Sequence, residues 1–170
     1  MIKSVPFLAL FLLMLSFTGK SQVAIPYPVS EQQAGISRGV DRTELIAFAK
    51  RYIGIPYRRA GADPKKGFDC SGFVNYVFRH FNVTLPRSSR EFKSLGTALK
   101  PEEFKVGDVI VFYGFRDKGH IGHVGIICEA NGMNSRFIHA SSGKAHSITI
   151  SDLASKGYRS RFFKCIDGTR

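Results

Sequence analysis

The sequence changes character near Gly107-Asp108, and this change limits the folds that the chain can adopt. Before this point, apolar residues recur at helical spacing, most clearly over residues 42–53. After it, short apolar runs alternate with Gly, Asn, Ser and Asp, which is typical of strands joined by turns. Helices followed by strands predict an α+β domain with its helices packed on one side of a short antiparallel β-sheet.

The predicted elements follow from periodicity and from capping signals. Asp41 with Glu44, and Ser88 with Glu91, have the spacing of capping boxes at helix starts. The predicted helices cover residues 42–53, residues 70–81 and a short segment between 88 and 96. The predicted strands cover residues 109–112, 124–128, 137–140, 147–150 and 158–166.

The chain has 170 residues, of which 44% are hydrophobic, and this is enough for one substantial core. Lys3 precedes an apolar run from Val5 to Leu15, which predicts a signal peptide over residues 1–21. The run is shorter than the roughly 20 residues of a membrane-spanning helix, so cleavage is favoured over a retained anchor. Residues 22–40 are predicted to be a linker and residues 41–170 a single domain. We therefore expect an exported protein of the periplasm, the cell wall or the extracellular space.

The formal net charge of +12 restricts the partners of an exported chain. Loss of the predicted signal peptide removes Lys3 and Lys20 and no acidic residue, so the chain stays basic. The charge suits anionic envelope polymers, and solubility is the alternative explanation. Nucleic acid is not an expected partner, because export and the lack of a nucleic-acid-binding motif argue against it. We expect a monomer.

A possible nucleophile lies where the second predicted helix begins. The segment Phe68-Asp69-Cys70-Ser71-Gly72 places Cys70 at the helix start, where free backbone N–H groups and the helix dipole favour a thiolate. This position predicts a lowered pKa and a reactive thiol. A small buried hydrophobic cysteine is the alternative, but the polar neighbours of Cys70 suit a cleft better than a core.

Two histidines on predicted neighbouring strands complete a possible catalytic set. A cysteine nucleophile needs a base, and the base needs a group that orients its ring. His123 and His139 are predicted to fill these roles, and His123 is preferred to His120, which precedes the strand. The same three residues could bind zinc, but their spacing lacks the paired ligands of common zinc sites. We therefore expect no metal and no cofactor.

Some cysteines and glycines have functions that the sequence leaves open. Cys128 and Cys165 lie on predicted strands, and in an exported protein they form either a disulfide or two buried thiols. Gly122 and Gly125 flank His123 and are expected to leave room around its ring.

Six short motifs follow one another between residues 42 and 165: Pro56-Tyr57, Phe68-Asp69-Cys70-Ser71-Gly72-Phe73, Leu85-Pro86-Arg87-Ser88-Ser89, Val106-Gly107-Asp108-Val109, His123-Val124-Gly125-Ile126 and Ile138-His139-Ala140. In composition and order they closely resemble the NlpC-type cell-wall peptidases, a family of papain-like cysteine peptidases. The chain departs from this pattern where Arg59-Ala60-Gly61 replaces the Trp-Gly-Gly that often follows the Pro-Tyr pair.

The resemblance implies a papain-like core in which Cys70 is the nucleophile, His123 the base and His139 the group that orients the base. It implies hydrolysis of peptidoglycan stem peptides through a thioester, either at the bond between D-Glu and a diamino acid or at the crosslink. Two alternatives remain on the same fold: a wall-peptide binding protein without activity, and an acyl or peptidyl transferase.

The same resemblance assigns three residues to the substrate site. Tyr57, Asp69 and Ser71 match positions that line this site in the family. Tyr57 is further expected to help stabilise the oxyanion, and Asp69 to meet a free amine of the stem peptide.

Overall fold

The structure is a computed structural model that describes residues 39–169. The predicted signal peptide and nearly all of the predicted linker lie outside these residues. No helix within the described part of the chain is long and apolar enough to cross a membrane.

Helix α1 (Arg42–Lys50) begins where its capping signal predicts. The Asp41 carboxylate accepts hydrogen bonds from the backbone N–H groups of Thr43 and Glu44, at 2.8 and 3.1 Å. The helix ends earlier than residue 53, because residues 51–54 form a turn. Gly54 adopts a φ of +90°, which glycine reaches without strain.

Helix α2 (Cys70–His80) closely matches its prediction. It follows a small antiparallel hairpin of strands β1 (Ala62–Asp63) and β2 (Gly67–Phe68), where the sequence predicted only a loop. Each strand has two residues, too few for a periodic pattern to be recognised. The hairpin brings the chain to the start of α2.

Two 3₁₀ helices connect α2 to the sheet. The first, Ser89–Lys93, is the short helix predicted after Ser88, and the Ser88 N–H donates to the Glu91 carboxylate at 3.2 Å. The second, Pro101–Glu103, was not predicted.

The second half forms an antiparallel sheet in the order β6-β5-β4-β3-β7. Its strands are β3 (Val109–Tyr113), β4 (Ile121–Glu129), β5 (Arg136–Ala140), β6 (Ile148–Asp152) and β7 (Phe162–Ile166). One prediction was wrong at its start, since residues 158–161 do not belong to the last strand. The one-turn helix α3 (Lys156–Arg159) includes residues 158 and 159, and the Tyr158 ring packs on Phe137 with 4.9 Å between ring centroids.

Both faces of the sheet are covered. Val109 and Val111 of β3 pack in the larger core with α1 and α2, whereas Ile110 and Phe112 point to a smaller core on the opposite face. The two long helices therefore lie on one side of the sheet, as predicted, and α3 contributes Tyr158 to the other. Burial of each large apolar side chain stabilises the fold by roughly 1.5–3 kcal/mol.

The Gly107-Asp108 pair serves the fold. Gly107 has a φ of +88°, and the Asp108 side chain is 1% exposed and pairs with Arg42 at 2.6 Å. Arg42 also pairs with Asp167 at 2.7 Å. These contacts join α1 to the start of β3 and to the end of β7.

Candidate active site

Cys70 is fixed by the cap of α2. The Asp69 Oδ1 atom accepts a hydrogen bond from the Gly72 N–H at 2.6 Å, and the Asp69 N–H donates to the Gly61 carbonyl at 3.0 Å. A Cβ atom at position 72 would collide with the Gly61 carbonyl oxygen, so only glycine fits there. In this segment Asp69 caps the helix, Cys70 supplies the thiol, and Gly72 leaves room for the Gly61 carbonyl of the preceding loop.

Arg87 secures the same cap from outside the helix. Its guanidinium donates to both carboxylate oxygens of Asp69 at 2.9 Å, and to the Gly61 carbonyl at 3.2 Å. A bidentate arginine–carboxylate pair is among the stronger charge-assisted contacts. The ion pair is partly exposed, which limits its contribution to stability. Its principal effect is to fix the loop before Cys70 in one position.

The two predicted histidines meet across neighbouring strands. His123 Nε2 and His139 Nδ1 lie 2.9 Å apart, and both residues are buried, at 9% and 0% exposure. His139 Nε2 in turn lies 3.0 Å from Ser151 Oγ and 3.3 Å from the Tyr158 hydroxyl. The hydrogen-bonded chain therefore begins at His123 and ends at two hydroxyl groups.

The start of α2 meets β4 beside His123. The backbone of Val124, the residue after His123, lies close enough to the Cys70 thiol to lower its pKa. Since Nε2 of His123 is engaged by His139, Nδ1 is the ring nitrogen that remains for exchange with a thiol.

Burial keeps both imidazoles neutral. It lowers the pKa of His123 well below its ordinary value of 6.5, and the neighbouring His139 and Arg161 lower it further. Burial likewise lowers the pKa of His139 to about 4, and a backbone contact with Ala140 partly opposes this shift. A buried histidine without an acidic partner favours the uncharged form.

The predicted low pKa of Cys70 is not what the structure shows. Burial raises the pKa of this thiol, and the Asp69 carboxylate raises it further. Backbone N–H groups of Val124, Ser71 and Cys70 itself oppose the shift without reversing it. Desolvation thus has a larger effect on the pKa of Cys70 than the helix start has.

Two cavities meet at Gly122. The first, of about 760 Å³, is lined by Cys70 together with Tyr57, Asp69 and Ser71. The second, of about 720 Å³, is lined by His123. The thiol therefore faces one cavity and the imidazole the other.

Comparison with known proteins identifies the family. The NlpC/P60 family model matches residues 54–167, which is most of the described chain. This chain belongs to the NlpC/P60 family. The match begins just before the Pro56-Tyr57 motif and includes all three predicted catalytic residues.

Individual NlpC/P60 relatives show the same similarity. The chain is 40% identical over 118 residues to the gamma-DL-glutamyl hydrolase of Bacillus subtilis, covering 69% of this chain and 27% of that one. It is 32% identical over 128 residues to the murein DD-endopeptidase MepS/murein LD-carboxypeptidase of Escherichia coli, covering 74% of this chain and 62% of that one. The chain thus spans less than two thirds of the length of these curated relatives.

A solved NlpC/P60 structure confirms the predicted papain-like α+β fold. A family protein from Bacillus cereus superimposes with a TM-score of 0.69 and 28% sequence identity. The superposition covers 78% of this chain and 42% of that one.

The predicted substrate-site residues of this NlpC/P60 domain lie together in the first cavity. Ser71 Oγ contacts Asp69 and Arg87, each at 3.3 Å. Both Asp69 oxygens already accept hydrogen bonds from Arg87, so Asp69 is first a structural cap. Tyr57 lines the cavity, and burial raises the pKa of its phenol. Contact of these residues with a substrate stays a prediction.

The remaining histidines occupy other environments. His120 is exposed and pairs with Asp117 at 2.6 Å, at the rim of the first cavity. His80 is exposed and stacks on Phe48, with ring centroids 3.9 Å apart. His146 is exposed as well and lies 5.5 Å from the Tyr57 ring. None of the hydrogen bonds described for these three rings reaches His123 or His139.

The other sequence questions are answered by strand geometry. Cys128 and Cys165 are free thiols in cores on opposite faces of the sheet, so they do not form a disulfide. Gly122 and Gly125 allow close packing. A Cβ atom at position 122 would lie 2.5 Å from Gly114 Cα, and one at position 125 would lie 2.6 Å from the Phe137 ring. The absence of a side chain at these two positions therefore lets Gly114 and Phe137 pack closely, while Gly122 and His123 both still line the second cavity. Within residues 39–169, no group of His, Cys, Asp or Glu is arranged to hold a metal ion.

Sequence reasoning missed the groups that support the site. Arg87 lies in a motif that the sequence singled out, but its contact with Asp69 depends on tertiary structure. Ser151, Tyr158 and Arg161 carry no local signal, because they reach the histidine pair only through strand register and the α3 turn.

The histidine pair makes stability depend on pH. Below pH 6.5 the unfolded chain binds protons that the native His139, with a pKa of about 4, does not bind. The free energy of unfolding should therefore fall as pH decreases from 6.5 toward 4, by about 1.4 kcal/mol per pH unit for each such group. Urea denaturation at pH 7, 6 and 5 measures this slope.

His139→Gln removes one of the two groups and should reduce that slope. Between pH 8 and 9 both imidazoles are almost entirely neutral in either state, so they contribute almost no slope there, which gives an internal control. Stability that is constant from pH 7 to 5, or an unchanged slope in the variant, would contradict the assignment of buried neutral imidazoles.

Proposed function

We propose that this chain is an exported cysteine endopeptidase that hydrolyses amide bonds in peptidoglycan stem peptides. One observation carries the proposal. The rings of His123 and His139 are buried and lie 2.9 Å apart, on strands beside the start of α2, where Cys70 lies. The names of the two relatives above denote hydrolysis of a glutamyl bond and of murein, which supports this substrate class. The scissile bond joins D-Glu to a diamino acid or forms the crosslink between stems.

The tautomers follow from the direction of proton transfer. If His123 Nδ1 accepts the thiol proton, then Nε2 carries hydrogen and donates to His139 Nδ1. His139 then carries its hydrogen on Nε2 and donates it to Ser151 Oγ. The Ser151 hydroxyl can accept this hydrogen bond, so the arrangement of donors is consistent from His123 to Ser151.

The acyl group of the substrate is transferred twice, first to the Cys70 sulfur and then to water. The Cys70 sulfur attacks the amide carbonyl as its proton moves to His123, and backbone N–H groups at the start of α2 stabilise the oxyanion. His123 then protonates the departing amine, which leaves a thioester on Cys70. Water, deprotonated by His123, attacks the thioester carbonyl and releases the acid and the thiol.

The environment of the two groups opposes charge on both the Cys70 thiol and the His123 imidazole. The raised pKa of Cys70 and the lowered pKa of His123 separate the two groups in the direction that disfavours an ion pair. In the proposed mechanism the thiol proton moves to His123 as the sulfur attacks, and the negative charge develops on the oxyanion.

Digestion of purified peptidoglycan tests the activity. The protein should release fragments that carry a new amine and a new carboxylate, identified by mass spectrometry. Intact peptidoglycan after prolonged incubation with folded protein would contradict the proposal.

His139 is proposed to position His123 without touching the substrate. His139→Ala should lower kcat by about 10- to 100-fold and leave measurable activity, because His123 and Cys70 remain. His139→Gln, which can still accept a hydrogen bond from His123, should recover part of this loss. A rate equal to that of the unaltered protein in His139→Ala would exclude the orienting role.

A further inference from the structure

The second cavity lies on the side of the leaving group. In the proposed function, on which this inference rests, His123 protonates the departing amine, and His123 lines this cavity whereas Cys70 lines the first. The acyl half of a substrate therefore occupies the first cavity, and the amine half extends past Gly122 into the second.

The polar groups of the second cavity favour an anion. Two arginines, Arg116 and Arg161, line it together with the hydroxyl groups of Ser141, Ser142 and Ser155. No acidic residue in the described part of the chain lines it, whereas the first cavity has Asp69 and Asp117 beside three arginines, Arg59, Arg87 and Arg90. The two cavities thus differ in charge on either side of the reacting atoms.

Arg161 is held rigidly without an acidic partner. Its Nε atom donates to the Gly157 carbonyl at 2.8 Å, and its Nη1 atom donates to the Tyr113 carbonyl at 3.2 Å. The guanidinium carbon lies 5.1 Å from the ring centre of Tyr158 and 5.6 Å from that of Phe115. Both rings line the same cavity.

The unused donors of Arg161 make it a specific carboxylate site. Two of the five guanidinium N–H groups are used by the backbone carbonyls, and no Asp or Glu within residues 39–169 forms an ion pair with it. Burial lowers the pKa of this guanidinium, a cost that a bound carboxylate would offset. An arginine with a fixed fork of donors binds carboxylates bidentately.

We propose that Arg161 forms a subsite for a carboxylate on the leaving fragment, so that the enzyme prefers amine products that carry a free acid. The preferred fragment is an amino acid or short peptide whose carboxylate lies near the newly formed amine. Amidation of that carboxylate would remove the preference.

A matched pair of peptides tests the subsite. L-Alanyl-γ-D-glutamyl-L-lysine and its C-terminal amide differ only in the carboxylate of the leaving lysine. The unaltered protein should hydrolyse the acid with a kcat/KM at least about tenfold higher than that for the amide, mainly through KM. Equal values for the two peptides would overturn the proposal.

Two arginine variants separate the subsite from general charge attraction. Arg161→Gln should bring the acid-to-amide ratio close to one. Arg159→Gln, an exposed residue outside both cavities, makes the same change in net charge and should keep the original ratio. An unchanged ratio in folded Arg161→Gln would overturn the assignment, and if that variant unfolds, the peptide pair on the intact protein decides.

Binding to an inactive protein distinguishes this inference from the proposed hydrolysis. Calorimetry with Cys70→Ala should give a dissociation constant at least about tenfold lower for the acid peptide than for the amide, and Arg161→Gln in that background should remove the difference. If neither peptide is hydrolysed but the binding preference is present, cleavage at the D-Glu bond fails and the subsite stands. Equal binding of both peptides overturns the subsite whether or not hydrolysis occurs.

Discussion

Replacing Cys70 by alanine is expected to reduce the release of peptidoglycan fragments by at least about 1,000-fold, because no other group at the site can form the thioester. The thiol is nearly buried. Alanine removes only the SH group at the start of α2 and leaves the hydrogen bond between Asp69 and the Gly72 N–H in place. The fold should therefore survive, which circular dichroism and thermal unfolding will show. The rate of fragment release measures the loss.

The matched control for this substitution is Cys128→Ala. Cys128 is also a buried free thiol, but it lies near the far end of β4 from His123. Its replacement should leave activity close to that of the unaltered protein. Substantial activity in Cys70→Ala, or an equal loss in both variants, would contradict a nucleophilic role for Cys70.

Replacing His123 by alanine is the second change with a large expected effect. This variant loses the base for the thiol and the acid for the leaving amine, and since the pKa of Cys70 is raised, the thiol would seldom ionise unaided. We expect a loss of kcat/KM of about 1,000-fold near pH 7, partly recovered at higher pH as the thiolate forms. A pH–rate profile measures both effects.

His120→Ala is the matched control, because His120 lies three residues earlier and at the rim of the first cavity. Its exposed ring pairs with Asp117 and is not joined to the buried pair. Most of the activity should remain. A large loss in His120→Ala with little loss in His123→Ala would reverse the assignment of the base.

Local signals correctly predicted the helix that begins at Cys70, whereas the nucleophilic role of Cys70 stays a prediction. A cap residue, a thiol and a small residue follow one another in Asp69-Cys70-Ser71-Gly72, and every part of this arrangement is local in sequence. The pKa of the thiol was predicted in the wrong direction. The helix start is a local feature, whereas burial depends on what packs against it, and burial has the larger effect here.

The histidine pair was predicted because strands that follow one another in an antiparallel sheet are often neighbours. Its supporting groups depend on register. His139 pairs with Thr149 on β6, which places Ser151 near its Nε2 atom, and the turn of α3 brings the Tyr158 hydroxyl to the same atom. Tyr158 was assigned to a strand, since a single turn of helix has too few residues to show a helical period.

Family motifs combine residues of the site with residues of the fold. Asp108, in one of the six motifs, is buried against Arg42, away from both cavities. Arg87, in another, binds Asp69 and holds the loop before the nucleophile. The sequence does not show which motif residues stabilise the fold and which belong to the site. The contacts in the structure make this distinction.

Two alternative functions of this fold predict different products. A transferase would pass the acyl group from Cys70 to an added amine, so that a new amide appears in place of the free acid. A binding protein would retain peptidoglycan without releasing fragments. Digestion with and without an amine acceptor, followed by mass spectrometry, distinguishes the three functions.

Covalent labelling with a substrate-like electrophile tests the central claim most directly. The probe is L-alanyl-γ-D-glutamic acid whose γ-carboxyl is converted to a chloromethyl ketone, followed by peptide mapping. The account predicts one adduct per chain, on Cys70, and much slower labelling in His123→Ala. An adduct on Cys128 or Cys165, or labelling of Cys70 that is independent of His123, would contradict it.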